Sequence, residues 1–141
     1  MTAQATQTRL MIAVGLGAAL GSVARALTSL GMIELLGPGF PWGTLTVNML
    51  GSLLIGLYAT LSEPDGRWAA GPVARHFVLA GFCGGFTTFS SFSLETLLLA
   101  EQGYLAMAGI NVGLSVTLWL AAVWLGWRIG TRLNGPKPQP A

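Results

Sequence analysis

Charged residues are scarce in this chain: Asp, Glu, Lys and Arg together make up 9% of its 141 residues, whereas soluble domains average about 25%. So few charges cannot cover a surface that water surrounds on all sides. A single cysteine, Cys83, excludes an internal disulfide. The scarcity of charge therefore predicts that much of the chain faces lipid or another subunit.

The shortage of ionisable side chains also argues against catalysis. An enzyme within the membrane needs a nucleophile with a base, paired carboxylates or metal ligands. The sequence offers one histidine, one cysteine, and Glu95 as the only carboxylate within the apolar segments described next. The net charge of +2 is not gathered into a basic cluster with interleaved aromatics, so nucleic-acid binding is not expected either. We expect a membrane protein that is not an enzyme.

Apolar residues, in contrast, are abundant at 52% and are gathered into four long segments. A membrane-spanning helix needs roughly 17–25 such residues, and none of the segments shows the alternation of a membrane β-barrel strand. The sequence therefore predicts an all-α membrane protein with one four-helix domain over residues 9–133. Its spans cover about 9–31, 44–61, 72–100 and 104–127, between an N-terminal tail (1–8) and a proline-rich, disordered C-terminal tail (134–141).

Polar residues in the second segment recur every four positions, at Thr44, Asn48 and Ser52. This spacing places them on one face of a helix. Two interpretations remain open at this point. The side chains could join helices by hydrogen bonds, or they could line a path for a polar solute.

The fourth segment repeats this pattern with Asn111, Ser115 and Trp119. Glycine pairs four residues apart allow helices to approach closely. We expect close packing at two such pairs, Gly17 with Gly21 and Gly109 with Gly113.

The third segment contains the run GFCGGFTTFSSFSLE, from Gly81 to Glu95. Glycine disfavours a helix interior by about 1 kcal/mol relative to alanine, so this run predicts either a kink or a true break. A break frees backbone amides and carbonyls, which are common ion ligands in channels. Phe89 and Phe92 follow on one face, where they form either a packing stripe or a pair of electropositive ring edges able to hold a small anion.

With these motifs in view, the chain resembles the Fluc (CrcB) family of fluoride channels. The resemblance rests on GxxxR at Gly21–Arg25, PWGTLTVN at Pro41–Asn48 and the Gly81–Glu95 run, and it covers nearly all of the chain except the two tails. It implies an antiparallel, dual-topology homodimer with two narrow pores along the subunit interface. These pores would export fluoride passively across the bacterial inner membrane and relieve fluoride toxicity.

The resemblance also implies roles for individual residues. Phe89 and Phe92 would be the pore phenylalanines, and Asn48 would be an amide donor beside the fluoride path. The remaining pore positions would be a carboxylate and three hydroxyl residues: Glu95, Thr44, Ser90 and Ser115.

A structural sodium ion at the two-fold axis is a further implication. The backbone carbonyls of Gly84 and Thr87 would bind it. Arg25 would lie near a vestibule, although it could equally extend along the helix to the membrane surface. Trp119 departs from the family, since relatives often carry a small hydroxyl residue there.

The expected topology and one alternative function need separate comment. Four spans place both termini on one side together with most basic residues, which favours one orientation, whereas the family implies both; we follow the family. The alternative function is a small four-helix, dual-topology multidrug transporter. That class needs a carboxylate within its first span, and no Asp or Glu lies between Leu10 and Gly31.

Overall fold

The computed structural model describes residues 3–135, with the backbone alone at residues 3 and 5. The described part is entirely helical apart from its connections. Its elements are α1 (Ala3–Leu36), α2 (Trp42–Leu61), α3 (Pro72–His76), a π-helical segment (Phe77–Cys83), α4 (Gly84–Phe86), α5 (Phe89–Glu101) and α6 (Leu105–Asn134).

Four stretches are long and apolar enough to cross a membrane. They are Thr6–Leu36, Trp42–Leu61, Pro72–Glu101 and Leu105–Asn134. The predicted all-α membrane fold with four spans is thereby confirmed.

The first and last helices are longer than the apolar segments suggested. At 34 and 30 residues, they extend about 50 and 45 Å, whereas the hydrocarbon core is about 30 Å thick. Helix α1 therefore includes most of the stretch expected to be an N-terminal tail. Of the C-terminal tail, Asn134 ends α6, and the predicted disorder of residues 136–141 lies outside the described residues.

Close helix contacts depend on glycine at several points. A Cβ at Gly17 or Gly21 would overlap carbonyl oxygens of the π-helical segment, and one at Gly126 would overlap the Leu53 carbonyl on α2. The predicted close packing at Gly17 and Gly21 is therefore confirmed. For Gly109 and Gly113 it is wrong within the described subunit, since a Cβ at either position would meet nothing within 4 Å.

The third span is broken at Thr87 and Thr88. These residues have extended backbone angles, with ψ of 157° and 117°, and the helix resumes at Phe89. The Thr88 hydroxyl caps the new helix by accepting a hydrogen bond from the Ser91 amide at 3.1 Å, as helix-capping threonines do. The broken third helix predicted from the sequence is confirmed.

Candidate functional site

The break in the third span is held by Asn48 of α2. Its side-chain Nδ2 donates to the Thr88 carbonyl at 2.8 Å, and its Oδ1 accepts from the Thr88 amide at 2.7 Å. These are backbone groups that the break removes from the helical ladder, and a buried backbone group without a partner is costly. Asn48, which is 5% exposed, therefore joins two helices. One N–H of its amide remains for another partner, because an amide nitrogen carries two.

The break also leaves two carbonyl groups without their helical donors. In an α-helix the carbonyl of residue i accepts from the amide of residue i+4. For Gly84 that donor is Thr88, which binds Asn48 instead. For Thr87 the donor is Ser91, which binds the Thr88 hydroxyl. The carbonyls of Gly84 and Thr87, predicted to bind sodium, have therefore lost the donors that a continuous helix would supply.

Three aromatic rings lie in succession beside the break. Phe89 and Phe92 have ring centroids 5.4 Å apart, and Phe92 meets Trp119 of α6 edge-on at 4.9 Å with an interplanar angle of 74°. Phe89 is 71% exposed, whereas Phe92 is 7% exposed. The two predicted phenylalanines are thus adjacent, with one on the subunit surface and one within it.

A cavity of about 190 Å³ opens at this point. Its lining includes Asn48, the two residues of the break and two aromatic rings, and none of the lining residues is ionisable. The lining residues are Asn48, Ser52, Ile55, Thr87, Thr88, Phe89 and Trp119.

Hydroxyl and amide groups connect α5 to α6 on the other side of Phe92. The Thr96 hydroxyl donates to the Phe92 carbonyl at 2.7 Å and accepts from the Asn111 amide at 2.8 Å. Ser115, which is 1% exposed, lies 3.4 Å from Asn111 Oδ1. Ser90 is exposed, and its hydroxyl lies 3.2 Å from that of Thr88.

Thr44 and Glu95 meet at a second place along α5. The Thr44 hydroxyl donates to Glu95 Oε1 at 2.8 Å, while the other carboxylate oxygen, Oε2, is buried without a hydrogen-bond partner in the described residues. Both residues line a cavity of about 270 Å³ between the start of α2 and the end of α5. Thr44 and Asn48 are one turn apart on α2, so together they hold α5 near its start and near its middle.

Arg25 does not join either group. It is half-buried on α1, one turn beyond Gly21. Among the described residues, no hydrogen bond or ring contact joins its side chain to the residues of the break. Its predicted position in a vestibule stays a prediction.

Sequence reasoning missed Thr88 and Thr96, which make more polar contacts than several residues that it selected. Thr88 carried a readable signal, because a threonine before a helical run is a common N-cap. Thr96 carried none, since its partner Asn111 lies 15 residues away on another helix.

Comparison with known proteins decides the family. The family model described as "CrcB-like protein, Camphor Resistance (CrcB)" matches residues 12–127. The chain belongs to the CrcB family. The matched range includes every residue that lines the two cavities, and also Thr96, Asn111 and Ser115.

Curated relatives are similar over almost the full length. "Fluoride-specific ion channel FluC 1" of Rhodopseudomonas palustris is 50% identical over 121 residues, covering 86% of each chain. "Fluoride-specific ion channel FluC" of Opitutus terrae is 51% identical over 128 residues, covering 91% of this chain and 97% of the relative. "Fluoride-specific ion channel FluC 3" of Brucella abortus is 46% identical over 131 residues, covering 93% and 96%.

As a CrcB member with four candidate spans, the protein is a multi-pass membrane protein and not an enzyme. The rival multidrug-transporter prediction gains no support from these relatives.

Proposed function

We propose that this protein is a fluoride-specific ion channel that exports fluoride passively across the bacterial inner membrane. The observation that carries the proposal is the near-complete match to relatives named as fluoride-specific ion channels. The one carboxylate of α1, Glu34, lies in its last turn, so no carboxylate lies in the middle of the first span to bind cationic drugs, which further favours a channel for a small anion.

The chemistry of the broken span suits a small halide. Fluoride holds its hydration shell strongly, so a pore must replace water with other hydrogen-bond donors while binding weakly enough to release the ion. The residues that line the cavity at the break carry amide, hydroxyl and indole groups and aromatic rings, and none of them is a lysine or an arginine. A neutral lining of this kind can replace hydration without trapping the anion beside a full positive charge.

We infer that two copies assemble as an antiparallel homodimer with two pores along their interface. The exposed ring of Phe89 and the outward-opening cavity beside it support this inference, because a pore here needs a second wall. Cysteine labelling at each terminus tests the topology. Labelling from both sides of the membrane is expected, and labelling from one side alone would exclude the antiparallel arrangement.

We infer further that a structural sodium ion binds the Gly84 and Thr87 carbonyls. Their loss of helical donors supports a role as cation ligands, since hard cations favour oxygen. Two subunits related by a two-fold axis would contribute four such oxygens. The ion would have a structural role and hold the two breaks together.

Passive export follows from weak-acid chemistry. Hydrogen fluoride enters the cell as a neutral molecule and ionises inside, and the membrane potential then drives the anion out through an open pathway. No nucleotide-binding motif is present in the sequence, so the proposal requires no ATP.

Fluoride efflux from proteoliposomes tests the proposed function. Vesicles loaded with fluoride and containing the purified protein should release it rapidly, as measured with a fluoride electrode. Chloride-loaded vesicles are the control and should release little. Equal rates for the two halides, or no fluoride release, would contradict the proposal.

A further inference from the structure

The indole N–H of Trp119 is a buried hydrogen-bond donor that has no partner among the described residues. The indole nitrogen can only donate. Buried donors in native proteins are nearly always paired with protein or water. An unpaired one therefore points to a partner outside the subunit's own described residues.

The surroundings of this indole indicate what that partner is. Trp119 lies one helical turn beyond Ser115 on α6, its ring is nearly perpendicular to that of Phe92 with centroids 4.9 Å apart, and it lines the 190 Å³ cavity at the break. The Asn48 side chain in the same cavity already uses one N–H and its oxygen on Thr88. Trp119 thus carries an unpaired donor on a residue that lines the cavity, whereas the Asn48 amide in the same lining has one N–H left.

We propose that the Trp119 indole N–H donates a hydrogen bond to the permeating anion beside Phe92. This inference rests on the proposed function and deepens it by adding a donor that contacts the ion. A neutral N–H replaces one water of the hydration shell and adds no fixed charge, so it lowers the barrier without retaining the ion. A small, strongly accepting halide gains most from such a donor.

Two other partners are the alternatives that the test must separate. The N–H could point at the face of the Phe92 ring, or it could bind a fixed water molecule. In either case the group would be a packing feature, and fluoride would not change its environment.

Indole NMR on the full-length protein labelled with ¹⁵N at tryptophan provides the direct test. Five indole resonances are expected from five tryptophans, and Trp119→Phe identifies the relevant one by its loss. Addition of fluoride should shift the Trp119 resonance in a saturable manner, while chloride at the same concentration should not. The Trp124 resonance, from a ring that is 52% exposed, should not move with either halide.

Flux measurements provide the second readout. Trp119→Phe should slow fluoride efflux roughly tenfold, the size expected when a hydrogen bond to a charged group is lost. Trp124→Phe, the matched control, should leave the rate unchanged. Benzothienylalanine at position 119, which replaces the N–H with sulfur at nearly the same shape, should reproduce the slowing and separates the donor from the packing of the ring.

The outcomes distinguish this inference from the function on which it rests. If the unmodified protein transports fluoride but its Trp119 resonance does not shift when fluoride is added, the inference is wrong and the channel function stands. If benzothienylalanine at 119 transports at the full rate, the donor role is likewise excluded. If the unmodified protein does not transport fluoride, the proposed function fails as well.

Discussion

Replacement of Asn48 by aspartate should destabilise the break far more than the same change elsewhere in the subunit. The Asn48 Nδ2 donates to the Thr88 carbonyl at 2.8 Å, and an ionised carboxylate cannot donate. In Asn48→Asp the carbonyl would lose its partner and face a negatively charged oxygen. Leaving a buried acceptor unpaired costs about 1–3 kcal/mol.

Asn111→Asp is the matched control. Asn111 is 2% exposed and Asn48 is 5% exposed, so both variants incur a similar cost for burying the new carboxylate. The Asn111 amide N–H, however, donates to the Thr96 hydroxyl, which can release the Phe92 carbonyl and turn to donate to a carboxylate, whereas a backbone carbonyl cannot donate. The difference between the two variants therefore isolates the bond to Thr88.

Thermal unfolding in detergent measures this difference. A gap of about 2 kcal/mol corresponds to roughly 4–8 °C in melting temperature for a chain of this size, with Asn48→Asp the lower. We also expect Asn48→Asp to lose most fluoride efflux, because the break would no longer be fixed. Equal melting temperatures, or a lower one for Asn111→Asp, would refute the view that Asn48 clamps the break.

Three further changes test other parts of the structure. Thr44→Val removes the hydrogen bond that the Thr44 hydroxyl donates to Glu95 Oε1 and should lower stability by about 1–3 kcal/mol in the same melting assay; an unchanged midpoint would show that this bond is dispensable. Thr88→Val removes the helix cap and should cost about 1 kcal/mol, again read as a lower melting temperature. Gly21→Ala should impair folding, judged by the yield of monodisperse protein on gel filtration, because its Cβ would overlap backbone, whereas Gly15→Ala, in open space, should be tolerated.

Composition and local sequence pattern were sufficient to predict the four-span helical architecture. Four apolar runs predicted four spans because a bilayer demands length and hydrophobicity, and both are read directly from the chain. The glycine and threonine content of the third run predicted its break for a similarly local reason, since those residues disfavour a helix interior.

The contacts that organise the site could not be predicted from local sequence pattern. Asn48 and Thr88 are 40 residues apart, and Thr44 and Glu95 are 51 apart, so their pairing depends on how the helices dock. The glycine pairs also show that docking cannot be inferred from spacing. The same four-residue spacing gives tight packing at Gly21 and open space at Gly113. Sequence spacing identifies a shared face but not what that face meets.

The reversal potential of the reconstituted protein under a fluoride gradient tests the central claim most directly, namely that neutral groups at a broken helix pass bare fluoride and nothing else. The account predicts a shift of about 59 mV per tenfold fluoride gradient, the value for a single monovalent ion, with no response to a superimposed chloride or pH gradient. A potential that follows chloride or protons would contradict it.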